Sequence, residues 1–289
     1  MQQKRTLHRI YSLTSIGRPL DPAWPSNKAV LILMPLAALA GLVYAFYLGL
    51  GMWQALQVAA VFALAVFGTW ALARELLPDD QVAAFISMAL GFLAALVNVQ
   101  PGLLVLFSTL GLVRIVNRST GLAPRASDSI LVTLLVIGTI YASQSPWLGA
   151  VAALAFFLDG ILHKPVKKQW LYAVICFGAM VVYMVDHDVA WWMVVVPDSL
   201  LEWLALLTLL LFSLNLFLLK KVHSRGDTDN LRLDVQRVKG GMAIGVLATL
   251  QGLEAMPHLV LVVATIGGLC LGIAFRRAFR SPAKGLRAG

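Results

Sequence analysis

Ten apolar stretches, each bounded by charge or by a proline-containing turn, take up most of the chain: 29–49, 52–73, 81–97, 101–116, 128–142, 146–162, 169–185, 199–219, 240–256 and 257–279. A helix needs about 20 apolar residues to cross a hydrocarbon core of roughly 30 Å. Inside lipid, every backbone amide and carbonyl must find its partner within the segment, which restricts such a chain to helices. Only 13% of the 289 residues are charged and 60% are hydrophobic, against about 25% charged in a soluble domain. This excludes a water-soluble globular fold and a disordered chain. It also excludes a typical nucleic-acid binder, despite a net charge of +9. The expected class is all-α: a polytopic membrane protein with about ten transmembrane helices, and no room for a second, soluble domain.

The breaks have local causes. Asn98-Val99-Gln100-Pro101, Ser143-Gln144-Ser145-Pro146 and Met256-Pro257 each place a proline where it removes an amide donor and crowds the preceding residue. The alternate breaks are charged: Arg74 to Asp80, Arg114 to Asp128, His163 to Lys168, and Lys220 to Lys239. With ten spans, all 23 Lys and Arg fall on the side of the N-terminus, while Asp186, Asp188, Asp198, Glu202 and Glu254 fall on the other. Cationic loops stay cytoplasmic during insertion. This split predicts cytoplasmic N- and C-termini in the cell (plasma or inner) membrane. A basic segment 1–28 precedes a single transmembrane domain 29–279, and a basic tail 280–289 follows it. The first 28 residues exceed an ordinary signal-peptide n-region and run into a full-length span, so no cleavable signal is expected. Cys176 and Cys270 lie inside apolar stretches and read as small apolar fillers.

Four spans, 81–97, 101–116, 128–142 and 146–162, hold only about 15–17 residues, roughly 24 Å of helix. Two readings fit them: crossing spans shielded within the bundle, or paired half-helices that enter from the charged side and turn back. Trp191 and Trp192 suit a membrane interface, so 189–197 is expected at the surface. Leu231, Val235 and Val238 at helical spacing predict a short interfacial helix in 220–239. Gly241, Gly245 and Thr249 form a stripe of small residues on the ninth span, and Ala264, Gly268 and Gly272 on the tenth. Such stripes let backbones approach closely, so these two helices are expected to pack together.

The densest polar sequence lies at the inner ends of spans two to six. It comprises Arg74, Glu75, Asp79 and Asp80, then Arg114, Asn117, Arg118, Ser119 and Thr120, and finally Arg125, Asp128, Asp159 and His163. Arginines bind phosphate through paired guanidinium contacts, and carboxylates take protons or hold a cation. Arg74, Glu75, Asp79, Arg114, Asn117, Arg118, Arg125, Asp128 and Asp159 are therefore the candidate substrate- or anion-binding residues. The plainer account is that the arginines obey the inside rule and the acids are their counter-ions. Asp159 fits that account least easily, because Phe156, Phe157, Ile161 and Leu162 flank it and a carboxylate there needs a partner. On the outer side, Asp186, His187, Asp188, Glu254 and His258 have ligand chemistry but no established metal-ligand spacing, and read as solvated loops. Asp227-Thr228-Asp229 lacks the rest of a calcium loop and also reads as solvated charge. No metal site is assigned, and the cofactor is unknown.

No span carries Lys, Arg, Asp or Glu near its middle, and the chain has no phosphate-binding Gly-Lys-Ser/Thr loop, His-Glu-x-x-His or Gly-x-Ser-x-Gly motif. Three functions remain. The first is a transporter of a small neutral or amphipathic solute built as inverted halves, 29–142 and 146–279, around a midplane cavity lined by Ser108, Thr109 and Thr208. The second is a membrane-embedded enzyme acting on a lipid phosphate or lipid-linked substrate at the cytoplasmic interface. The third is a non-catalytic membrane subunit or assembly factor. Expected partners are membrane lipids, with anionic headgroups at the cytoplasmic face, and no nucleic acid.

Overall fold

A computed structural model describes residues 10–98, 102–190, 197, 199–251 and 260–279. Among these residues, ten long helices form the bundle: α1 (Pro25–Tyr47), α2 (Met52–Leu76), α3 (Gln81–Val97), α4 (Leu103–Asn117), α5 (Ala126–Ser143), α6 (Trp147–Ile161), α7 (Gln169–Asp186), α8 (Leu200–Leu218), α9 (Val235–Leu250) and α10 (Val260–Phe279). Six of them, α1, α2, α5, α7, α8 and α10, are long and apolar enough to cross a membrane. The fold is all-α and of membrane type. The expectations for Trp191, Trp192, Pro101, Met256-Pro257 and the tail 280–289 fall outside the described residues.

Of the shorter helices, α4 occupies the middle of the bundle. Eleven of the fifteen residues of α4 are buried, against α2, α5, α6 and α9. Shielding of this kind removes the need to match the full hydrocarbon thickness, because neighbouring helices rather than lipid surround the backbone. α3, though only seventeen residues long, ends beside the end of α1: Tyr44, in the last turn of α1, donates its hydroxyl to Leu96 O near the end of α3 (3.1 Å). The fifth span is longer than its sequence run suggested. It begins at Ala126, with Arg125 as N-cap, and covers eighteen residues.

Packing overturns the expected pairing of the two small-residue stripes. α9 and α10 touch little. Gly241 faces the Asn117 side chain on α4 and Gly245 faces Leu76 on α2, while Gly268 and Gly272 lie against the backbones of Ser87 and Ala83 on α3. A Cβ at Gly268 or Gly272 would overlap that backbone, and Ser87 uses the proximity to donate to Thr265 O (2.8 Å). The stripes lay down two separate close seams, α9 on α4/α2 and α10 on α3.

The helix neighbours also differ between the halves. α2 is central, packed by α1, α3, α4, α9 and α10, whereas its inverted counterpart α7 rests chiefly on α5 and α6. Ser108 and Thr109 are fully buried in packed core; Ser108 shares a hydrogen bond with Thr139 (2.8 Å), and Thr109 bonds back to Val105 O (2.7 Å). Thr208 bonds back to Ala205 O on peripheral α8. Ser108 and Thr109 lie on α4 and Thr208 on α8, each bonded within its own neighbourhood.

Residues 219–234 fold as a non-helical hairpin in place of the expected interfacial helix. Arg225 and Arg232 bridge across it, Gly226 N donates to Leu231 O (2.8 Å), and helix resumes only at Val235. The reason is tertiary. Thr228 N and Oγ1 both donate to Thr120 O (3.0 and 2.6 Å), stitching the hairpin to the loop after α4, with Asp229 held against Gly121. Gly121 has φ +83°, and the contact leaves no space for a side chain there.

Candidate functional site

The inner-end polar residues do meet, at the end of the bundle where α2, α4 and α6 finish and α3, α5 and α9 begin. They form three carboxylate centres rather than one open pocket.

Glu75 lies in the last turn of α2 and is buried (1% exposed). Its Oε1 accepts from Arg114 Nε (3.1 Å), Arg18 Nη1 (3.3 Å) and Ser119 Oγ (3.1 Å), and Asn117 Nδ2 donates to the Glu75 carbonyl (2.7 Å). Arg114 and Asn117 are three residues apart on α4, so one helix face delivers both to α2. Arg18 then reaches outward, and its Nε and Nη2 grip Asp227 on the hairpin at 2.7 and 2.8 Å. Burial opposes the Arg18 charge, but the Glu75 and Asp227 carboxylates outweigh it and its pKa is raised. Tyr11 donates to the same Asp227 (3.2 Å), and burial together with that carboxylate pushes its phenol up to about 12.

Asp159, in the last turn of α6, is fully buried. Arg118 takes both its oxygens (Nε to Oδ1 2.8 Å, Nη2 to Oδ2 2.9 Å), and Arg237 Nη1 adds a third contact at 2.7 Å. Arg118 is the C-cap of α4 with φ 49°, a left-handed turn that carries the chain toward α6. Arg237, 4% exposed, also donates to Val116 O (2.9 Å) and twice to His163 O (3.1 and 2.6 Å), closing the ends of α4 and α6. His163 thus enters through its carbonyl.

Asp128, in the first turn of α5, accepts from the Ser15 amide (2.6 Å), the Ser15 hydroxyl and Thr14 Oγ1 (2.9 Å). Arg125 donates its amide to Ser15 Oγ (2.9 Å) and its guanidinium to the carbonyls of Tyr11 and Ser12. Residues 11–18 form a strap pinned to the bundle end by Asp128, Arg125 and Thr120, whose hydroxyl donates to Ser15 O (2.5 Å).

Asp79 and Arg74 stand outside these centres. Asp79 caps the hairpin, accepting from His223 N (2.8 Å) and from Ser224 N and Oγ (2.7 Å each). Burial raises its carboxyl pKa, but the hydrogen bonds from Ser224 and His223 prevail and hold it below the usual carboxylate range. Asp80 N-caps α3 through Ala83 N (3.1 Å) and pairs with Arg276 of α10 at 3.1 Å. Arg74 lies over the Trp70 ring, 5.6 Å from its centroid.

Sequence reading missed Arg18, Thr14, Ser15, Asp227 and Arg237. None has a local signal except Arg237, a charge one position from the apolar stripe of α9. Asp227-Thr228-Asp229 is exposed, as a solvated segment would be, but it also has partners that the sequence did not name: Asp227 pairs with Arg18, and Thr228 and Asp229 seat the hairpin.

Among the described residues no group of three or more His, Cys, Asp or Glu is placed to hold a metal ion. On the side expected to face outward, His187 stacks on Tyr183 at 4.1 Å with its Nδ1 against Tyr183 O; Glu254 and His258 fall outside the described residues. Comparison with protein-family models, curated proteins and solved structures finds no match.

Proposed function

We propose that this chain is a ten-span membrane protein with its charged end in the cytoplasm, acting as a non-catalytic membrane subunit or assembly scaffold. The observation that carries this reading is the internal use of the groups that would do chemistry. Glu75, Asp128 and Asp159 each accept from side chains distant in sequence; Arg118 spends its fork on Asp159, and Arg114 divides its donors between Glu75 and the Ile16 carbonyl. A phosphate competing for Arg118 would strand a buried carboxylate, and breaking such a pair costs about 3–5 kcal/mol. The enzyme reading therefore draws less support than the scaffold reading. The unequal neighbours of α2 and α7, and the burial of Ser108 and Thr109 in packed core away from half-buried Thr208, likewise support a scaffold over an inverted-repeat carrier. The cation asymmetry supports the orientation and a plasma or inner membrane location.

Mild-detergent extracts of native membranes test it. The chain is expected to migrate in an assembly well above its own 31.3 kDa, and removing the chain is expected to deplete specific partner polypeptides from the membrane. Solute uptake by reconstituted vesicles, or turnover of a lipid phosphate, abolished by a still-folded Arg118→Lys variant, overturns it. For orientation, a cysteine at exposed Gln144 is expected to react with an impermeant reagent in intact cells. Reaction only after permeabilisation reverses the topology.

A further inference from the structure

Arg18, Arg114, Arg118, Arg237 and Arg276 each bind a carboxylate. Arg74 binds none among the described residues. Its Nε is shut from solvent and without a partner, and its Nη1 makes one long contact, 3.4 Å, to Ser26 Oγ. Trp70 beneath holds the guanidinium in place by cation–π attraction. Beside it begins α1, whose N-cap, Trp24, supplies no side-chain hydrogen bond and whose first turn contains no acid. Orphan amides at a helix start favour an anion. Lys28 lies exposed in that turn, and Trp24 is 65% exposed at the level where an aromatic ring meets headgroups.

We infer that Arg74, Ser26 and the start of α1 form a seat for a phosphate group, with the headgroup phosphate of an anionic phospholipid as occupant. With Nε shut away, it is the Nη groups of Arg74, which no carboxylate occupies among the described residues, that can donate to phosphate oxygens. The hydroxyl of Ser26 adds a third donor, and Lys28 supplies the extra positive charge that separates an anionic from a zwitterionic headgroup. This rests on the membrane reading of the charged end. It differs from the enzyme reading in that Glu75, the acid on the same turn as Arg74, is engaged by Arg18 and Arg114.

The test uses the full chain in nanodiscs of mixed phosphatidylglycerol and phosphatidylcholine, with bound lipid counted by native mass spectrometry after stripping with detergent. Wild type is expected to retain phosphatidylglycerol in preference to phosphatidylcholine. Arg74→Gln should reduce that retention at least tenfold, and Lys167→Gln, on a distant exposed lysine, should leave it unchanged. Arg74→Lys keeps the charge without the fork and should retain an intermediate amount, which guards against misfolding of the Gln variant. A second arm titrates inorganic phosphate into lipid-stripped protein: binding that Arg74→Gln abolishes, with no lipid retained, makes the occupant a soluble phosphate and overturns the lipid assignment. Equal phosphatidylglycerol retention by wild type and Arg74→Gln, both inserted in nanodiscs, overturns the seat while leaving the membrane reading standing. Failure of wild type to insert at all overturns that reading instead.

Discussion

Arg237 Nη1 lies 2.7 Å from Asp159 Oδ1, on a carboxylate whose two oxygens are already gripped by Arg118. One fully buried acid from α6 thereby neutralises part of two cations delivered by α4 and α9. Burying charge is tolerable only when hydrogen bonds complete it, and here the carbonyls of Val116, His163 and Lys164 take the remaining donors.

Asp159→Asn should be among the most destabilising single changes at this end. It leaves two buried guanidinium groups short of a counter-charge, a loss of about 3–5 kcal/mol. Denaturant unfolding in detergent measures it. In the Asp159→Asn background, Arg118→Ala should cost much less than in wild type, giving a coupling energy on the order of 1–3 kcal/mol. Additive effects would mean that the pair contributes nothing as a pair.

Arg18→Gln removes the link between Glu75 and Asp227 and should loosen the strap 11–18 while leaving the helices intact. Hydrogen bonds to charged groups contribute about 1.5–3 kcal/mol, so amide exchange at Ser15 should speed up roughly tenfold or more. If its protection is unchanged, Asp128, Arg125 and Thr120 hold the strap without Arg18.

Acid should detach the hairpin. The Asp79 carboxyl pKa is depressed by the Ser224 and His223 donors that prevail over burial. The stability it contributes is complete above its unfolded value, about 3.9, and is lost as pH falls through the lower folded value. Wild type should lose stability relative to Asp79→Asn across that acidic window and keep a constant advantage above it. Parallel pH profiles would show that the cap does not couple to folding.

Gly272→Ala and Gly268→Ala force a methyl into the backbones of Ala83 and Ser87. Overpacking of this kind costs about 1–3 kcal/mol or more. Gly138→Ala, in the middle of α5 with open space around it, should be neutral or gain up to about 1 kcal/mol from helix propensity. Thermal unfolding of the three variants separates close packing from propensity; a Gly272→Ala protein as stable as wild type would refute the α3–α10 seam.

Helix positions were legible because their causes are local. An apolar run long enough to hydrogen-bond its own backbone becomes a helix wherever it lies, and a proline or a charged turn ends it. The gathering of Glu75, Asp128 and Asp159 at one end was legible for the same reason, since chain alternation brings every second turn to the same side. Which cation serves which acid depended on packing. Arg18 and Arg237 lie 57 and 78 positions from the carboxylates they bind, and nothing in their neighbours' sequence names the partner. The same distinction separates the glycine stripes from their seams. Spacing by fours announces a surface made for close approach, but whether Gly268 meets α9 or α3 is settled only when all ten helices compete for the same contacts. Nor does local pattern foresee the hairpin 219–234: Leu231 has helical spacing with Val235 and Val238, yet only the latter two are helical, in α9. Contacts with Thr120 and Gly121 hold residues 219–234 out of the helix, because satisfying buried backbone and charge across the bundle end stabilises the fold more than one further turn of helix.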